Sequence, residues 1–178
     1  MPGPQNGGGN ITLVLGGARS GKSRYAEKLI ESEPAPWIYL ATAEARDGEM
    51  ERRIAEHRAR RDRNWQTIEA PHDLAAALGA LPPRSAVLVD CLTLWLSNRL
   101  LADGEIDREI VDLERALTNH NGAVAVVSND VGSGIVPDNQ LARRFRDVQG
   151  VLNQRIAACA SRVVLMVAGL PLAVKETP

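Results

Sequence analysis

Aromatic residues are scarce in this 178-residue chain: one Phe, two Tyr and three Trp, 3% in all. Proteins that grip single-stranded nucleic acid stack bases on such rings, so that class has few platforms here. No excess of charge of one sign exists either. The 21 basic and 22 acidic residues leave a formal net charge of −1, too little to draw nucleic acid or an anionic membrane surface. Cysteine is limited to Cys91 and Cys159, both in apolar stretches without metal-ligand spacing, and both are expected to be buried free thiols of a reducing compartment. No apolar run approaches the ~18 residues that span a bilayer. The opening MPGPQNGGGN lacks a basic segment leading into an apolar one, so residues 1–10 read as a disordered lead-in and not as a signal peptide. The expectation is a cytoplasmic protein with one domain over residues 11–178.

What is present is a set of short apolar runs rich in β-branched residues. They are ITLVLG (11–16), WIYLAT (37–42), AVLVDC (86–91), AVAVVSN (123–129) and RVVLMVAG (162–169). Such runs predict strands buried on both faces of a parallel sheet. Helical stretches separate them: SGKSRYAEKLIES, DGEMERRIAEHRARRDRN with Asp47 as N-cap, DLAAALGAL, LTLWLSNRLLAD, DREIVDLERALTNH and NQLARRFRDVQGVLNQRIAACA. The alternation predicts an α/β fold, a mostly parallel sheet with helices on both faces. Ligands of such sheets lie at the carboxyl ends of the strands, which points to 16–23, 41–57, 90–93 and 128–138.

The first of these is Gly16-Gly17-Ala18-Arg19-Ser20-Gly21-Lys22-Ser23, a complete P-loop pattern between a strand and a helix. Gly17 and Gly21 are expected to let the backbone curl so that its N–H groups face phosphate oxygens. The helix that starts near Gly21 adds the positive end of its dipole. Lys22, expected to face solvent in the empty loop, can reach the β- and γ-phosphates, and the Ser23 hydroxyl can ligate Mg2+. Asp90 closes the strand AVLVD, where P-loop proteins carry the acid that holds Mg2+; its alternative role is to cap the following helix.

Of the three histidines, His120 closes a helix and His72 lies in the turn APHD. His57 has Arg53, Arg60 and Arg61 as helical neighbours and Ile54 as an apolar anchor. Six arginines between Arg52 and Arg63 stand against Glu56 and Asp62. That pattern fits a solvated helix face. It also fits nucleotidyl transfer, because a neutral imidazole, with an unperturbed pKa of about 6.5, is a nucleophile near pH 7. Arginines beside it depress that value further and can hold an α-phosphate and the departing pyrophosphate.

GGARSGKSRYAE, YLATAEARDGEMERRIAEHRARRDRNW, SNDVGSGIVPDNQLARRFRDVQGVLNQRIA and the tail VAGLPLAVK together resemble the bifunctional adenosylcobinamide kinase/adenosylcobinamide-phosphate guanylyltransferase family of cobalamin biosynthesis. The likeness runs from about Ile11 to Lys175; Asp130 stands where relatives often have Glu. The resemblance implies a RecA-type P-loop NTPase, assembled as a homotrimer, that uses ATP or GTP with Mg2+. It phosphorylates adenosylcobinamide, then passes GMP from GTP to adenosylcobinamide phosphate through a guanylylated histidine, here His57 of Arg53-Ile54-Ala55-Glu56-His57. The same likeness puts Ala41, Thr42 and Ala43, the run Arg58, Ala59, Arg60 and Arg61, and Glu69 beside the nucleotide. Glu69 would suit guanine recognition, or would merely cap a loop. The loop 128–138 suits a bulky substrate or a subunit contact. Two other readings remain: a P-loop kinase without guanylyl transfer, and an ATP-driven binding module for nucleic acid or a protein.

Overall fold

The computed structural model describes residues 10–45, 48–59 and 61–176. The chain runs β1 (Ile11–Gly16), α1 (Lys22–Glu31), β2 (Trp37–Ala41), α2 (Gly48–Ala59), β3 (Trp65–Glu69), α3 (Leu74–Gly79) and β4 (Ala86–Asp90). It continues with α4 (Leu92–Leu101), α5 (Ile106–Asn119), β5 (Val124–Asn129), α6 (Gln140–Cys159), β6 (Arg162–Val167) and β7 (Leu170–Glu176). The strands form one sheet in the order β3-β2-β4-β5-β1-β6-β7, parallel throughout except for the antiparallel β7.

Strand alternation divides the core. Ile11, Leu13, Ile38, Leu40, Val87, Val89, Val124, Val126 and Val163 point to one face, packed against α3, α4, α5 and α6. Val14, Tyr39, Leu88, Ala125, Val127 and Val164 point to the other, with Ala26 and Ile30 of α1. The helices meet the sheet through spaced apolar residues. In α5, Ile106, Ile110, Leu113 and Leu117 are all buried, each worth roughly 1.5–3 kcal/mol relative to exposure. At the start of α6 the Asn139 carboxamide accepts from the Ala142 N–H at 2.7 Å, as its N-cap position predicts.

The five strands expected from the apolar runs are all present, and the structure adds two. In β3 only Trp65 is buried, and no residue of β7 is buried. Edge strands of this kind carry no buried run for a pattern to detect. The second helix stops at Ala59 and does not continue to residue 64. There the Asp62 side chain accepts from the Asn64 N–H at 2.8 Å, a local turn that competes with helix and delivers Trp65 to β3. The expected Asp47 cap lies outside the described residues. No helix among the described residues is long and apolar enough to cross a membrane.

Candidate functional site

β1 ends at Gly16, where a Cβ would lie 2.5 Å from Ser20 Oγ and 2.9 Å from the Met166 carbonyl oxygen. Only glycine permits that approach. Gly21, at φ 92°, supplies the left-handed residue that turns the loop into α1. The expected freedom at Gly17 is not used, since Arg19 at φ 57° takes the other left-handed position. Gly17, Ala18, Arg19 and Gly21 are exposed, while Ser20 and Ser23 are half-buried. Behind the loop, the Gly169 N–H of the β6–β7 turn donates to the Ser20 carbonyl at 3.1 Å.

Lys22 differs from expectation. It is buried at 7% exposure, and its Nζ donates to the Gly17 carbonyl at 2.9 Å. The ammonium thus bonds back onto the loop's own backbone.

β5 lies between β1 and β4 in the sheet. Asp90 is therefore two strand spacings from the loop, roughly 10 Å. Its carboxylate does not cap α4, whose N-cap is Cys91. Instead Oδ2 accepts from the Tyr39 hydroxyl at 3.0 Å. Asp90 and Ser23 offer the hard oxygen donors that Mg2+ takes. No group of three or more His, Cys, Asp or Glu among the described residues could hold a metal by itself. A cation here would share its shell with phosphates and water, which suits Mg2+, an ion that sheds its water reluctantly.

Sheet register brings the remaining candidates to the same edge. Ala41 pairs with Asp90 on one side and Glu69 on the other, so the three form a row at the carboxyl ends of β4, β2 and β3. Glu69 is exposed and accepts from Arg58 Nη2 at 3.2 Å, a link between α2 and the strand edge. Ala59 is exposed. Thr42 has a different task. It is fully buried; its hydroxyl donates to the Cys91 carbonyl and accepts from the Cys91 N–H, both at 2.7 Å. Its side chain thus fastens β2 to β4, its N–H donates to the Asp90 carbonyl and its carbonyl accepts from Asn98, so in this run it is half-buried Ala41 and Ala43 that can approach a ligand. Arg61 stacks its guanidinium 3.5 Å from the centroid of the Tyr39 ring. His57 falls on α2. Its side chain, like that of Arg53 and the whole of Arg60, lies outside the described residues.

The other histidines have partners. Buried His120 bonds the Ser85 carbonyl through Nε2 at 2.8 Å. His72 Nε2 pairs with Glu44 Oε1 at 2.9 Å, and Nδ1 lies 3.4 Å from Arg99, itself in a two-pronged pair with Glu109. His72 thus sits nearer the ligand edge than its turn position suggested. Tyr39 is the residue that the sequence most conceals, since within WIYLAT it reads as one more apolar strand position. A polar group at the tip of β5 was equally hidden. Ser128 and Asn153 bond at 2.6 Å, and the Asn153 side-chain amide donates to the Asn129 carbonyl at 3.0 Å, holding α6 to the strand beside the loop. In the loop that follows, Asp130 accepts from the Gly132 N–H and Ser133, while Ile135 is 96% exposed.

A glycine-bounded phosphate loop between β1 and α1, with an acid two strands away across an inserted strand, defines a P-loop NTPase of RecA-like architecture. In fold it is similar to a prototypical ATPase from the type III secretion system of pathogenic bacteria (TM-score 0.57, 14% identity, 92% of this chain and 56% of that one). It is likewise similar to a protein of Pyrococcus horikoshii OT3 (TM-score 0.53, 9% identity, 94% and 86%). Within that class, the family model for cobinamide kinase/cobinamide phosphate guanyltransferase matches residues 12–174, and the chain belongs to this family. It is 50% identical over 169 residues to the bifunctional adenosylcobalamin biosynthesis protein CobP of Pseudomonas aeruginosa, covering 93% of this chain and 98% of that one. It is 42% identical to the protein CobU of Salmonella typhimurium and 39% identical to that of Escherichia coli, each covering 93% of this chain and 99% of the relative.

Proposed function

We propose that this chain phosphorylates adenosylcobinamide with ATP or GTP and then transfers GMP from GTP to adenosylcobinamide phosphate. The observation that carries the reading is the single carboxyl edge shared by the Lys22 loop, Asp90 and the Glu69–Arg58 pair. Phosphoryl transfer needs the γ-phosphate held and its charge offset. Lys22 would leave the Gly17 carbonyl for the β- and γ-phosphates, while N–H groups of residues 17–22 take the remaining oxygens. Ser23 and Asp90 would hold Mg2+, which supplies charge neutralisation between the phosphates when bound.

Guanylyl transfer needs attack at the α-phosphorus, which a P-loop does not itself provide. In this reading an imidazole nitrogen of His57 forms the P–N bond while the Pα–O bond to the β-phosphate breaks, and pyrophosphate leaves. An oxygen of adenosylcobinamide phosphate then attacks the same phosphorus, the P–N bond breaks, and adenosylcobinamide-GDP departs. Arg58, Arg60 and Arg61 would steady the pyrophosphate. Glu69 would accept from the guanine N1–H and amino group, exchanging its surface pair with Arg58 for the base. One domain serves both steps.

A cytoplasmic homotrimer fits the far edge of the sheet. Leu170, Leu172 and Val174 of β7 are more than half exposed, with Val167 of β6 beside them. An unpaired apolar edge strand is otherwise an aggregation liability. The test of the whole reading is incubation with GTP labelled at the α-phosphate. Covalent, acid-labile and alkali-stable label, with release of pyrophosphate, is expected. Failure to label would leave a simple kinase.

A further inference from the structure

The sheet register that sets Ala41 beside Asp90 sets Tyr39 beside Leu88. Leu88 is two residues before Asp90 on the same strand, so Tyr39 and Asp90 share the face covered by α1. Tyr39 is 5% exposed, its ring edge-on to Trp65 with centroids 6.2 Å apart. Its hydroxyl is 3.0 Å from Asp90 Oδ2. In this bond the phenol donates and the carboxylate oxygen accepts. One carboxylate oxygen is occupied, and among the described residues Oδ1 accepts no hydrogen bond. Over the ring lies the Arg61 guanidinium, 3.5 Å from its centroid.

We infer that Tyr39 is a positioning residue for the cation at the phosphate loop. Its hydroxyl fixes the rotation of the Asp90 carboxylate so that Oδ1 is presented to a divalent cation. Through the stacked Arg61 it also ties that carboxylate to the segment that follows α2. A freely rotating carboxylate would have to be ordered each time a cation bound, and a buried phenol meets that requirement in advance. Both ends of the link belong to the candidate nucleotide site: Asp90 at the phosphate loop, Arg61 in the arginine-rich stretch after His57. The inference rests on Asp90 being the cation residue, and the experiment separates the two.

Mn2+ binding in the presence of a non-hydrolysable GTP analogue is followed by electron paramagnetic resonance in wild type, Asp90→Asn and Tyr39→Phe. Asp90→Asn should weaken Mn2+ at least 10-fold. Tyr39→Phe, which keeps the ring under Arg61 and against Trp65, should weaken it 3- to 10-fold with the melting temperature little changed. In phosphoryl transfer it should raise the Mg2+ midpoint by the same factor and leave kcat at saturating Mg2+ near wild type. Unchanged Mn2+ affinity in Asp90→Asn overturns the reading of Asp90 and the inference with it. A weakened Asp90→Asn beside an unchanged Tyr39→Phe overturns the inference alone. Should Tyr39→Phe not fold, 3-fluorotyrosine labelling of the unaltered chain decides. It gives two fluorine resonances, for Tyr25 and Tyr39, assigned with Tyr25→Phe. Mg2+ added with the analogue must move the Tyr39 resonance, and must not do so in Asp90→Asn; a resonance that stays in place refutes the link.

Discussion

Replacing Lys22 with alanine separates what the residue does for the fold from what it does for phosphates. In the structure Nζ makes a charge-assisted hydrogen bond to the Gly17 carbonyl at 2.9 Å. Such bonds contribute about 1.5–3 kcal/mol when the acceptor is left dry. Gly17 itself is exposed, so water can replace the ammonium and the net loss falls to about 1 kcal/mol. For a domain of this size that lowers the melting temperature by roughly 2–4 °C. The catalytic loss is larger, because no other fixed cation of the loop's GKS end can offset charge between the β- and γ-phosphates. Removing a preorganised electrostatic contact of this kind costs about 3–4 kcal/mol of barrier, or 10²- to 10³-fold in rate. The assay is transfer of labelled γ-phosphate to adenosylcobinamide, beside a thermal melt of the same sample. A Lys22→Ala protein that melts within a few degrees of wild type and turns over at a near-normal rate would refute the phosphate role. Loss of phosphoryl transfer with guanylyl transfer intact would show that the two reactions do not share the loop.

In His57→Asn, label from the α-phosphate of GTP and guanylyl transfer should both vanish while much of the kinase activity survives; label persisting, or found on His72 or His120, contradicts the assignment. Asp90→Asn should depress kinase turnover by at least ~10²-fold, with partial rescue by raised Mg2+, and should leave urea unfolding nearly unchanged, since Asp90 does not cap α4. Gly122→Ala would place a Cβ 2.1 Å from the Ser85 carbonyl oxygen, backbone against backbone, and should cost about 2–3 kcal/mol in urea unfolding with nucleotide affinity retained. Burial and the Asp90 charge push the Cys91 thiol up to about 11, so it is protonated at pH 8. It should resist iodoacetamide in the native protein and react only after unfolding.

The five buried strands and most helix limits were legible because each is a local pattern. β-Branched runs such as AVLVD bury both faces, apolar spacing marks helices such as α5, and Gly16 to Ser23 is a phosphate loop wherever a strand leads into a helix. The resemblance to one enzyme family was equally local, carried by contiguous motifs. The edge strands β3 and β7 were not legible, since an exposed strand has no apolar rhythm and exists only because a neighbour offers hydrogen bonds. The buried Lys22 ammonium, the Thr42 hydroxyl spent on Cys91 and the Tyr39 bond to Asp90 belong to the same class. Tyr39 and Asp90 are 51 residues apart in sequence, and only the parallel register of β2 on β4 puts a phenol beside a carboxylate. Chain-local chemistry, which residue types occur and in what spacing, is written in the sequence. Which lone pair of Asp90 is occupied, and which arginine lies over which ring, is decided by packing across strands that no local pattern encodes.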